Sequence, residues 1–128
     1  MMKKLLAALA ILAVTASSAS AHLTTFTLRT KREDPAFTGI TFTRVNDGWR
    51  WGASFVPPVI PPASRTFPGV FEPPCMYWVT LHQQGGPDLS SAWEGTRGQM
   101  NVCTQRTVYY NGLSGGGLGI LTLITFGP

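Results

Sequence analysis

"CMYWVTLHQ", residues 75–83, alternates without a break, and that alternation decides the fold. Successive side chains of an extended strand point to opposite faces, so residues two apart share a face. Cys75, Tyr77, Val79 and Leu81 fall on one side; Met76, Trp78, Thr80 and His82 fall on the other. The first set suits a core and the second is mixed, as expected of a half-buried strand rather than a helix.

The same period recurs on both sides of this stretch. "LTTFTLRT" (23–30) sets Phe26 and Leu28 on one face, and "TGITFTRV" (38–45) does so with Ile40 and Phe42. "WRWGASF" (49–55) aligns Trp49, Trp51, Ala53 and Phe55. Asn46-Asp47-Gly48 separates the last two segments. An Asp side chain bonds readily to its own turn and Gly accepts left-handed geometry, so a β-hairpin is expected here. "MNVCTQRTVYY" (100–110) reads as one strand, and "LGILTLITF" (118–126) as a strand covered on both faces.

Two segments interrupt the pattern. "VPPVIPPASRTFPGVFEPP" (56–74) carries seven prolines. Proline brings no N–H to a ladder, so the stretch reads as a long crossover, partly polyproline-like, pinned by Val59, Ile60, Phe67, Val70 and Phe71. "QGGPDLSSAWEGTRGQ" (84–99) reads as a polar loop with a short helical turn near Ser90 to Trp93. Connections this long are uncommon in small domains and often carry function. Together these readings give an all-β chain: a small antiparallel β-sandwich or barrel of six to seven strands with one disulfide, preceded by a cleaved signal peptide.

That leader is "MMKKLLAALAILAVTASSASA". Lys3 and Lys4 precede an apolar run over 5–14, and small residues fill 15–21, the layout of a secretory signal. Ala19-Ser20-Ala21 is the favoured cleavage triplet and leaves His22 first; Ser17-Ser18-Ala19 is the second option. The apolar run is half of the roughly 20 residues that span a bilayer, so no stable membrane anchor is expected. The organisation is then 1–21 signal peptide and 22–128 single β domain. The short two-lysine leader points to a bacterial periplasmic or secreted protein. In such an oxidising compartment Cys75 and Cys103, the only cysteines, pair by default. The loop closed is worth about 3.6 kcal/mol in unfolded-chain entropy.

The charge balance excludes one class of partner. The chain has 10 basic and 6 acidic side chains, and losing Lys3 and Lys4 leaves eight against six. "RTKRED" (29–34) is a solvated turn ending in two acids rather than a nucleic-acid patch.

Few residues carry catalytic chemistry. "GLSGG" (112–116) matches G-x-S-x-G, but that motif works on a strand–turn–helix elbow that this pattern does not provide. No lysine follows those glycines, so they form no phosphate loop. Six acids are present: Glu33, Asp34, Asp47, Glu72, Asp88 and Glu94. Glu33 and Asp34 are adjacent and point apart on an extended chain, and Asp47 belongs to a turn; Asp88 and Glu94 share one loop, and a solvated loop accounts for both.

Two constellations remain. The only histidines are His22 and His82. After cleavage at Ala21, the His22 amine and ring with the His82 ring would make a three-nitrogen set that suits copper, with Tyr109, Tyr110 or Met76 axial. The arrangement resembles the histidine brace of lytic polysaccharide monooxygenases and small periplasmic copper carriers. The resemblance implies a copper-binding protein. The other constellation is aromatic. Of four tryptophans, Trp49 and Trp51 read as core, and Trp78 and Trp93 as surface. Trp93 lies among Ser91, Glu94 and Arg97, a recognition tip. The leading expectation is therefore a small exported, non-catalytic binding module without a cofactor, contacting a protein or carbohydrate surface through Trp78, Trp93, Glu94 and Arg97. The alternative is the copper protein built on His22 and His82.

Overall fold

Nine strands form among the described residues of the computed structural model, which are 22–31, 35–71, 73–111 and 124–128. They are β1 (His22–Arg29), β2 (Phe37–Arg44), β3 (Arg50–Val59), β4 (Ser64–Phe71), β5 (Met76–Gln83), β6 (Leu89–Ser90), β7 (Gln99–Asn101), β8 (Thr107–Tyr110) and β9 (Ile124–Gly127). The leader, "GLSGG", Glu33, Asp34, Glu72 and residues 118–123 of the last expected strand lie outside the described residues.

One sheet runs β4-β1-β8-β9; the other runs β3-β2-β5-β6, with β7 also paired to β5. The two pack as a sandwich. Phe26 of the first sheet lies 5.4 Å from Phe42 and 5.3 Å from Trp51 of the second. Phe42 and Trp51 stack at 4.2 Å, and Phe67 meets Phe55 edge-on at 5.6 Å. Phe26, Leu28, Ile40, Phe42, Tyr77, Val79 and Leu81 are buried, so the alternation read from these strands holds. Each such ring or aliphatic chain contributes about 1.5–3 kcal/mol by leaving water.

The hairpin forms as its turn chemistry requires. Phe42 pairs with Trp51 and Thr43 with Arg50. Gly48 takes φ 78, the left-handed region. Trp51 packs against the core as expected, but Trp49, one strand position outside the ladder, is 39% exposed beneath the Arg44 guanidinium. The Cys75–Cys103 disulfide is present, with Cα atoms 5.6 Å apart. It joins the residue before β5 to the turn after β7.

Several expectations are corrected. The strand count is nine rather than six to seven, because the proline stretch and the polar loop both hold strand. Prolines are tolerated because β3 and β4 are the edges of their sheets, where a missing N–H costs no central ladder. Between Ser54, opposite Gly39, and Val59, opposite Phe37, β3 bulges away from β2. Pro57 and Pro58 occupy that bulge, where pairing is broken. The pairing is not wholly antiparallel: β1 and β8 run parallel, with Leu28 beside Val108.

Residues 100–110 are not one strand. The chain leaves the second sheet after Asn101, whose carbonyl accepts from the Thr104 and Gln105 N–H groups, and enters the first at Thr107. One 3₁₀ segment, Ser91–Gly98, is the only helical element among the described residues. No described helix is long and apolar enough to cross a membrane.

Candidate functional site

The outer face of the second sheet is built from alternate residues of β2, β3 and β5. Strand register places Ser54, Gly39 and His82 in one row; Gly52, Thr41, Thr80 and Ser90 in the next; and Arg50, Thr43, Trp78 and Gln99 in the third. Small and hydroxylated side chains dominate, and half-buried Trp78 is the one large ring among these rows.

The edge of this face carries an excursion. Ser90 stands opposite Thr80 and Gln99 opposite Trp78, so β6 and β7 are two parts of one edge strand on β5. Ser91–Gly98 is looped out where a single residue would face Val79. Ser91 closes the base: its buried hydroxyl accepts from the Val79 N–H at 2.8 Å and donates to the Gly98 carbonyl at 2.6 Å. The missing ladder partner of Val79 is thus supplied by a side chain. Gly98 is required by this closure, because a Cβ there would lie 1.7 Å from the Ser91 carbonyl oxygen. Ser90 caps the first turn by accepting from the Ala92 N–H at 3.1 Å.

Trp93 lies in that excursion and is 62% exposed. Glu94 follows it half-buried in the first turn, and Arg97 stands exposed in the last. The structure therefore brings Trp93, Glu94 and Arg97 onto one loop, with Trp78 on the adjoining sheet beside the loop's Gln99 exit. The loop is hydrogen-bonded at its base and exposes Trp93 and Arg97, while Glu94 and Trp78 are half-buried, an arrangement by which loops present contact residues.

The two histidines are not brought together. His22 opens β1 opposite Phe71. Arg29, at the other end of β1, lies beside Tyr109. Tyr110 meets Phe37 edge-on at 5.3 Å, and Phe37 stands opposite Gln83. His82 thus shares an end of the sandwich with Arg29. His22 lies seven residues away along β1, about 23 Å of extended chain. Of the three axial candidates Tyr110 is core and Met76 opens β5 at the far end from His82. Among the described residues no three His, Cys, Asp or Glu side chains cluster as metal ligands.

His82 has other partners. Its Nε2 is 2.7 Å from Thr41 Oγ1 and its Nδ1 2.9 Å from Asp88 Oδ1. Thr41 and His82 line an open groove over β2 and β3, together with Gly39, Gly52 and Ser54, and Asp88 meets the His82 ring from the exposed turn after β5. Sequence reading misses this set, since Thr41 and His82 are 41 residues apart and meet only through strand register. No protein-family profile, curated protein or solved structure matches this chain.

Proposed function

We propose that this protein is a small exported binding module whose contact surface is the Ser91–Gly98 excursion and the adjoining sheet face. One observation carries the reading: an edge strand is interrupted for eight residues, closed at its base by Ser91, and presents Trp93 to solvent. A polar loop needs no such closure to be soluble, whereas a recognition tip gains from a fixed base, because ordering it before contact lowers the cost of binding. An exposed tryptophan offers a large apolar face and one N–H, the combination enriched where surfaces meet. Arg97 and Glu94 supply charge around it. The partner class is a protein or carbohydrate surface, and the hydroxyl-rich rows around Trp78 suit the latter. Export follows from the leader and agrees with the disulfide.

The test is capture on a panel of insoluble polysaccharides and of surface-protein fractions, comparing wild type with Trp93→Ala and Trp78→Ala. Trp93→Ala is expected to melt like wild type and to lose capture by about 10-fold or more. Undiminished capture by a folded Trp93→Ala variant removes the excursion from the contact surface. N-terminal sequencing of the exported chain is expected to begin at His22.

A further inference from the structure

We propose that Thr41, His82 and Asp88 form a nucleophile–base–carboxylate relay able to accept a small acyl group from an ester, an activity beyond the binding role above. The relay is recognised by geometry: a hydroxyl within hydrogen-bond reach of a base that a third group orients. Thr41 Oγ1 to His82 Nε2 is 2.7 Å, and His82 Nδ1 to Asp88 Oδ1 is 2.9 Å.

The proton positions follow from the partners. An ionised carboxylate only accepts, so the proton of the neutral ring sits on Nδ1 and is donated to Asp88. Nε2 is then left with its lone pair, and the Thr41 hydroxyl donates to it. That is the tautomer a general base needs.

The fold positions each member separately. Thr41 and His82 are diagonal neighbours, since Thr41 faces Thr80 and Gly39 faces His82 across β2 and β5. Asp88 is held in the turn that leaves β5, where Gln83 Nε2 donates to the Pro87 carbonyl at 2.8 Å and buried Leu89 anchors the next residue. Gly52, opposite Thr41, leaves the hydroxyl uncovered; a Cβ there would meet the Ile40 carbonyl oxygen at 2.4 Å and Thr41 Oγ1 at 3.3 Å. Ser54, opposite Gly39, puts a second hydroxyl in the same groove, about 7–8 Å from Thr41 as a diagonal pair. The groove is open and lined mostly by small residues, so a small ester reaches the hydroxyl from solvent.

The reaction consumes only the ester and one water. Thr41 Oγ attacks the ester carbonyl carbon while its proton passes to His82 Nε2. The ester C–O bond breaks and the alcohol leaves with that proton. Water, deprotonated by the same Nε2, then cleaves the acyl-threonine, freeing the acid and restoring the hydroxyl.

The experiment incubates the disulfide-bonded exported protein with p-nitrophenyl acetate and, separately, with a fluorophosphonate probe, followed by intact mass and peptide mapping. One adduct on Thr41 is expected. His82→Ala is expected to slow it by about 100-fold or more. Asp88→Asn, whose amide can donate to Nδ1 and leave the ring proton on Nε2, is expected to slow it comparably, and Asp88→Glu to restore part of the rate. Trp93→Ala is expected to label normally, which separates this activity from partner capture. Adducts confined to lysines and the N-terminus, or labelling of Thr41 unchanged in a folded His82→Ala variant, overturn the proposal. Should Thr41→Val fail to fold, Thr41→Ser decides: acylation at position 41 must persist and still depend on His82.

Discussion

Asp47 shows how much one surface carboxylate organises. Its Oδ1 accepts from Arg44 Nε at 3.0 Å and from the Trp49 backbone N–H at 3.0 Å, while Oδ2 accepts from Arg44 Nη2 at 2.8 Å. The Arg44 hydrogen bonds above all, and then the Trp49 N–H, bring its pKa down from 3.8 to about 2. The folded state therefore favours the charged carboxylate. The resulting stabilisation is fully present above about pH 4 and is lost as the pH falls through about 2. Asp47→Asn is expected to melt below wild type at about pH 6, and the two melting curves are expected to converge at about pH 2. An equal gap at both pH values would mean that the turn, not the charge, is responsible. At this scale the sequence was half legible. The Asp-Gly turn announces itself in adjacent residues, because turn chemistry is local. The Thr41–His82–Asp88 contact does not, because nothing within any one segment encodes which residue of a neighbouring strand lies diagonal to Thr41.

At the scale of elements, the interrupted edge strand is the least regular feature and the one most dependent on a single side chain. Ser91 is fully buried, and its hydroxyl satisfies one donor and one acceptor of the main chain. Ser91→Ala removes both contacts without opening a large cavity. The Val79 N–H is left buried and unpaired, at a cost of about 1–3 kcal/mol. The expected outcome is a lowered denaturant midpoint and faster proteolysis after Arg97, measured against wild type under non-reducing conditions; an unchanged midpoint would show that Val79 finds another partner. The disulfide braces the same region from its other end, where the Val102 N–H also donates to the Cys75 carbonyl at 2.9 Å. Segments 84–99 and 100–110 were misread because β6 and β7 hold two and three residues. That is too short for a period of two to register. Val102, buried in a turn, also carries the apolar pattern across the point where the chain changes sheets.

For the molecule as a whole, alternation tells which side chains face inward but not which strands are neighbours. The sandwich class was accordingly legible from Tyr77, Val79, Leu81, Ile40 and Phe42, whereas the parallel pairing of β1 with β8 was not. The prolines acquire a meaning only at this scale. Both strands that they interrupt, β3 and β4, are sheet edges. An edge strand offers unpaired N–H and C=O groups to any passing strand, and a proline withholds a donor and resists flat pairing. Pro68 stands exposed in β4 opposite Thr25, in the middle of an eight-residue ladder with β1. Substituting it with threonine restores an N–H and a strand-favouring side chain on that edge. Pro68→Thr is therefore expected to keep the far-ultraviolet spectrum and to alter stability by no more than about 0.5 kcal/mol, since it touches no core contact. Its effect should appear instead between molecules, as a concentration-dependent rise in mass by light scattering or sedimentation that wild type does not show. A variant that stays as monodisperse as wild type across the same concentrations would locate the protection of this edge elsewhere, in the twist and charge of β4 rather than in its proline.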